Sequence, residues 1–172
     1  MSLFDIQKTD TLNKKAPLAQ RMRPQNLDEI LGQDHIIGPG KLLRRAIETD
    51  KLSSLIFYGS PGCGKTTIAT VIANVTDKFY ASLNAVTDGV AELRKITSKA
   101  EENLSMYGKQ TILFIDEIHR FNKGQQDALL PWVEKGLIVL IGATTQNPYF
   151  SLNPALLSRS MIFELHPLSK ED

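Results

Sequence analysis

The chain has 172 residues, enough for one domain with a sizeable core, and its 42% hydrophobic and 23% charged residues are those of a soluble globular protein. A formal net charge of +1 gives no compositional sign of a nucleic-acid partner, and no apolar run approaches a membrane span or a signal-peptide core. The single cysteine, Cys63, excludes an internal disulfide, so a reducing, intracellular compartment fits best.

Residues 1–16 are polar, without a sustained period, and read as a flexible tail. Within them Ser2-Leu3-Phe4 faintly resembles the end of the short peptides that dock on sliding clamps, which makes a sliding clamp a candidate partner. Pro24 biases Arg23 toward extended backbone, and Leu27, Ile30 and Leu31 are predicted to form one apolar face of a short helical turn. After the breaker Gly38-Pro39-Gly40, residues 41–50 read as a helix with Leu42, Leu43, Ala46 and Ile47 facing inward. A short apolar strand, 55–58, leads into Gly59-Ser60-Pro61-Gly62-Cys63-Gly64-Lys65-Thr66 and a helix over 66–75.

A second strand, 79–83, ends at Asn84. Residues 90–106 form an amphipathic helix whose charges, Arg94, Lys95, Lys99, Glu101 and Glu102, read as a solvated face. The uninterrupted apolar run 111–115 predicts a central parallel strand covered on both sides, ending in Asp116-Glu117. Residues 125–134 are helical, with Pro131 predicting a kink or early end. A fourth strand, 137–141, ends in Gly142-Ala143-Thr144-Thr145; a short helix, 154–158, carries Arg159, and 161–165 is the fifth strand. Strands alternating with helices signal an α/β fold with a doubly wound parallel sheet. Ser169-Lys170-Glu171-Asp172 reads as a helix N-terminus with Ser169 as cap, so residues 169–172 are predicted to begin a further domain.

The chemistry centres on residues 59–66, which fit the phosphate-loop pattern G-x-x-x-x-G-K-[ST] at every fixed position. Glycines let successive N–H groups point inward around a phosphate chain, and the following helix adds the positive end of its dipole. Lys65 reaches the β/γ-phosphates and the Thr66 hydroxyl ligates Mg²⁺; Thr67 follows in the same turn. Asp116 would hold Mg²⁺ through its water shell, and Glu117 would polarise the attacking water. Both can face one cleft only at the strand's end, because adjacent strand side chains diverge.

Thr144, ending the fourth strand, is a candidate for contact with the γ-phosphate or its water; the alternative is a plain strand-end hydroxyl. Asn84 either hydrogen-bonds Glu117 and holds it off duty or simply caps a turn. Arg159 lies too far along the chain to serve its own phosphate pocket easily. It fits an arginine finger reaching a neighbouring subunit's γ-phosphate, with a surface salt bridge as the alternative. His35, His119 and His166 are scattered, with no Cys/His metal spacing, and are taken as structural or surface residues. Cys63, at a helix N-terminus, is either an oxidisable thiol or a small residue the loop tolerates.

These pieces together resemble the N-terminal ATPase module of a clamp-loader-type AAA+ protein, and more closely the RarA/MgsA (replication-associated recombination protein A; Werner-helicase-interacting ATPase) family. The resemblance runs through Pro17-Leu18-Ala19-Gln20-Arg21-Met22-Arg23-Pro24, Leu31-Gly32-Gln33-Asp34-His35 and the phosphate loop. It continues in Phe114-Ile115-Asp116-Glu117-Ile118-His119-Arg120-Phe121-Asn122, Ile141-Gly142-Ala143-Thr144-Thr145-Gln146-Asn147-Pro148 and Asn153-Pro154-Ala155-Leu156-Leu157-Ser158-Arg159.

It implies a three-layer P-loop NTPase over residues 17–168, with a five-stranded parallel sheet in the order 2-3-4-1-5. Arg21, Arg23, Pro24, Ile36 and Ile37 would flank the adenine of ATP. Thr144 would be the sensor called sensor 1, and Arg159 the finger acting in trans. The family further implies DNA-stimulated ATP hydrolysis with Mg²⁺ at stalled forks and at gapped or single-stranded DNA. Single-strand-binding protein would be a partner, the full-length form a homo-oligomer, and the location the cytoplasm at the nucleoid. Ser60 and Cys63 replace the Pro and Thr common in the family's loop. The chain also ends before the lid that carries the sensor 2 arginine, which implies weak turnover by these residues alone. Rival readings are a clamp-loader subunit, a Holliday-junction branch-migration motor, and a nucleotide-dependent scaffold in which hydrolysis is incidental.

Overall fold

The computed structural model describes residues 22–169. The tail with Ser2-Leu3-Phe4, the adenine candidate Arg21 and the predicted lid start beyond Ser169 lie outside the described residues. The strands are β1 (Ser54–Tyr58), β2 (Phe79–Asn84), β3 (Thr111–Asp116), β4 (Ile138–Thr144) and β5 (Ser160–Glu164). The helices are α1 (Asp34–Ile37), α2 (Leu42–Glu48), α3 (Lys65–Val75), α4 (Val90–Tyr107), α5 (Lys123–Asp127), α6 (Leu130–Glu134), α7 (Pro148–Ser151) and α8 (Pro154–Leu157). Four observed strands lie within one residue of their expected bounds, and β4, expected over 137–141, runs three residues further, to Thr144.

All four pairings are parallel and the sheet order is β2-β3-β4-β1-β5, the order the resemblance implies. The apolar runs read as they do because the central strands are covered on both faces. Leu55 and Phe57 of β1, Ile112 and Phe114 of β3, and Val139 and Ile141 of β4 pack on one side with Leu43, Ile47, Ile68 and Ile72 of α2 and α3. Ile56, Leu113, Ile115, Ile138 and Leu140 pack on the other with Leu93 and Ala100 of α4 and Leu156 of α8. Each such side chain contributes about 1.5–3 kcal/mol by burial, so this two-sided core holds the strand ends in place.

Two sequence expectations need correction. Leu31 and Leu42, expected inward, are exposed at 59% and 63%, while Leu27, Leu43 and Ile47 are buried. With Leu43 and Ile47 turned to the sheet, the face of so short a helix is filled. The expected helix over 125–134 is two helices. The first, α5, starts earlier under a capping box: Asn122 Oδ1 accepts from Gln125 N at 2.9 Å, and Gln125 Oε1 accepts from Asn122 N at 2.9 Å. Pro131 then stands in the first turn of α6, where its missing N–H costs nothing. Helix α7 has no counterpart in the sequence analysis; four residues are too few to show a helical period, but Asn147 caps it and Pro148 starts it. The charges of α4 do form a solvated face, with Glu92–Lys95 and Lys99–Glu102 pairs.

Candidate functional site

The parallel register brings the site together. Tyr58, the last residue of β1, is level with Thr144 of β4, and Asn84 of β2 is level with Asp116 of β3. The phosphate loop, the acidic pair and the candidate sensor therefore share the C-terminal edge of one sheet, where ligands of open α/β sheets bind. The loop's backbone demands glycine at two places in particular. A Cβ on Gly59 would lie 2.4 Å from the Leu165 carbonyl oxygen, and Gly64 enters α3 at φ 97. Lys65, only 8% exposed, donates from Nζ to the Gly59 and Ser60 carbonyls at 2.7 and 2.8 Å. Its ammonium is thus held under the loop. Cys63 is buried in the core beside Leu165, its Sγ 3.6 Å from that ammonium, whereas Ser60, Pro61, Gly62 and Thr66 are exposed and Thr67 is half-buried.

Thr66 and Asp116 line one cleft of about 420 Å³, together with Arg23, Asn84 and Asp88. A hydroxyl and a carboxylate are hard oxygen donors that suit Mg²⁺, which keeps several waters and takes the remaining ligands from phosphates. Arg23, assigned by resemblance to the adenine, faces this acidic cleft. Pro24 is half-buried beside it, and Ile36 and Ile37 are buried among the core side chains behind the loop. Tyr80 on the cleft wall has its phenol pushed up, first by burial and then by the nearby Asp116 charge, with the Thr70 hydroxyl and Arg23 opposing.

The backbone solves the problem of the adjacent acids by a left-handed residue. Glu117 sits at φ 52 and ψ 43, directly after β3, and its N–H donates to Asp116 Oδ1 at 3.1 Å. That turn carries the Glu117 carboxylate toward β4. There Oε2 accepts from the Thr145 hydroxyl at 3.4 Å and lies 3.2 Å from His119 Nδ1. His119 Nδ1 is also 3.0 Å from Thr144 Oγ1, which accepts from Gln146 N at 3.0 Å. Asn84 takes the turn-cap role: its Oδ1 accepts from Val86 N at 2.8 Å, while its N–H donates to Asp88 Oδ2 at 2.8 Å.

Two residues escaped the sequence reading. His119, expected to be structural or on the surface, lies between Glu117 and Thr144; the signal was its place in the short turn after the acids. Gln33, 1% exposed, donates to the Cys63 and His166 carbonyls at 3.3 and 2.8 Å and ties the loop to the chain leaving β5. No spacing rule reaches across 133 residues. His35 and His166 stack on each other with centroids 4.1 Å apart, in keeping with structural roles.

Arg159 stands at the other end of the sheet. It precedes Ser160, which pairs with Ser54 at the start of β1, roughly 16 Å of strand away from the loop. Its guanidinium pairs with Glu134 at 2.7 Å and donates to the Ala155 carbonyl at 2.9 Å.

A phosphate loop, a carboxylate pair and a strand-end threonine on a 2-3-4-1-5 parallel sheet define the nucleotide-binding class of P-loop ATPases. The pattern of the ATPase family associated with various cellular activities (AAA) matches residues 55–168, and the chain belongs to that family. It is 52% identical over 93% of its length to replication-associated recombination protein A of Escherichia coli, covering 36% of that protein. It is 47% identical over 91% of its length to ATPase WRNIP1 of Dictyostelium discoideum, covering 18% of it. Among solved structures, the Thermotoga maritima RuvB Holliday junction branch migration motor matches 84% of the chain at a TM-score of 0.67 and 31% identity, with 48% of that structure covered. The chain thus spans little more than a third of the E. coli relative's length.

Proposed function

We propose that the chain is the ATP-binding and hydrolysing module of a DNA-dependent ATPase acting in replication and recombination at stalled forks. Residues 17–168 form the nucleotide-binding domain and 169–172 begin a lid. The observation that carries the reading is the meeting of Lys65, Thr66, Asp116, Glu117 and Thr144 at one sheet edge, with Arg159 at the other. The loop N–H groups and Lys65 bind the phosphates of ATP. Thr66 and Asp116 hold Mg²⁺, which when bound neutralises charge on the phosphate oxygens. Glu117 orients and polarises the water that attacks the γ-phosphorus, Thr144 donates to a γ-phosphate oxygen, and the bond to the leaving ADP oxygen breaks. Arg159 completes the site of a neighbouring copy, so the working form is a homo-oligomer.

Forked, gapped or single-stranded DNA, and single-strand-binding protein, are the partners that the family resemblance implies. A sliding clamp is the further candidate, and the cytoplasm at the nucleoid the expected location. No helix among the described residues is long and apolar enough to cross a membrane. The test is steady-state ATPase activity of a polypeptide of the relatives' full length, with and without gapped DNA. Stimulation by DNA is expected; hydrolysis indifferent to any DNA assigns the chain to a nucleotide-dependent scaffold instead. The RuvB likeness supports a second reading, a branch-migration motor, for which four-way junctions stimulate more than gaps.

A further inference from the structure

His119 is a buried titratable side chain that the hydrolysis reading leaves without a task. Its side chain is 6% exposed, and Nδ1 faces two oxygens at once, Thr144 Oγ1 at 3.0 Å and Glu117 Oε2 at 3.2 Å. An ionised carboxylate offers only lone pairs. A lone pair on Nδ1 would oppose them, so the favourable arrangement places the proton on Nδ1, donating to Thr144 Oγ1 with its positive edge toward Glu117.

This has a consequence for Thr144. A hydroxyl has two acceptor sites and one proton. Nδ1–H fills one acceptor site and the Gln146 N–H, 3.0 Å away, fills the other. The Thr144 proton is then committed to donation. Its partner here is the Gln146 carbonyl at 3.3 Å, a long bond that a phosphate oxygen readily replaces.

We propose that His119 is a positioning residue: through Nδ1–H it makes Thr144 a hydrogen-bond donor toward the γ-phosphate and holds the Glu117 carboxylate beside it. Phosphate sensing and water polarisation are thereby set as one unit. The inference rests on the hydrolysis reading and deepens it, because it assigns to His119 the contact with Glu117 for which Asn84 was a candidate.

The test uses the full-length protein, steady-state kinetics and a fluorescent ATP analogue for affinity. His119→Ala should lower kcat by about 10²-fold through misplacement of Glu117, with analogue affinity unchanged. His119→Asn, whose amide N–H falls near Nδ1, should recover most of the loss. His119→Gln, whose amide reaches toward Nε2, should not. Combining His119→Ala with Thr144→Ala should cost little more than either alone, as for residues acting together. A parental kcat in His119→Ala, Gln performing as well as Asn, or multiplicative losses in the double variant would each overturn the proposal. Should the alanine variant fail to fold, the Asn and Gln pair decides alone. Glu117→Gln separates the two levels. If it still turns over, the hydrolysis reading falls; if it is dead while His119→Ala runs normally, only the role of His119 falls.

Discussion

Glu117 is a non-glycine residue held at φ 52, a conformation that costs about 1–2 kcal/mol for an L-residue with a Cβ. Local strain of this kind persists where surrounding structure fixes it, and here it solves a concrete problem. Two acids in succession on a strand point to opposite faces; one left-handed residue turns the second toward the end of β4, beside Thr145 and His119. The side chain's role is separable from that geometry. Glu117→Gln keeps the backbone and should bind the nucleotide normally while kcat falls by about 10²–10⁴, the range for loss of a positioned base. Lys65→Ala, by contrast, should abolish binding in an equilibrium titration, since its ammonium is the charge placed under the loop. Normal ATP affinity in that variant would remove the phosphate loop from its role. The pair of variants thus distinguishes the group that binds from the group that acts.

At the scale of elements, the short helices α5, α7 and α8 depend on caps more than on hydrophobic period. Both α5 and α6 have five residues, too short to be stable by propensity. Asn122 closes α5 through its capping box, and Asn153 caps α8 by accepting from Ala155 N at 2.8 Å. Asn122→Ala should lower the unfolding free energy by about 1 kcal/mol, the usual value of such a cap. Urea unfolding with an unchanged m-value would show it; an unaltered midpoint would mean the box contributes nothing. The long elements were legible for the complementary reason. Helix α4, with 18 residues, repeats its apolar positions often enough to reveal its inner face. Two-sided burial made β3 and β4 read as uninterrupted apolar runs. Where an element has only one turn, as in α7, chance and pattern look alike.

At the scale of the whole molecule, the sheet separates the loop from Arg159 by the full length of β1, which supports the proposal that this arginine serves a neighbouring copy. The ion pair of Arg159 with Glu134 joins side chains 41% and 48% exposed and holds the arginine only weakly. A finger of this kind is worth roughly 10³–10⁵ in rate. Arg159→Ala and Lys65→Ala should each be inactive alone in the full-length protein. Mixing them should restore part of the ATPase, because an intact loop from the first then meets an intact arginine from the second. A mixture that stays inactive would rule out completion of the site between subunits.

The phosphate loop and the acidic pair of the proposed site were evident from the sequence because each is contiguous: residues 59–66 form one loop and Asp116-Glu117 follow one apolar run. Local spacing suffices where a single stretch of backbone makes the site. Relationships between distant stretches were decided only by the tertiary structure. Parallel pairing sets Thr144 level with Tyr58, and Gln33 joins the loop to His166 across 133 residues. His119 shows both halves of that division. Its letter is one histidine among three, without metal spacing, and only its place in the turn after the acids sets it apart. It acquires a place in the site because the left-handed Glu117 and the end of β4 converge on one imidazole nitrogen, and convergence is a property of the fold.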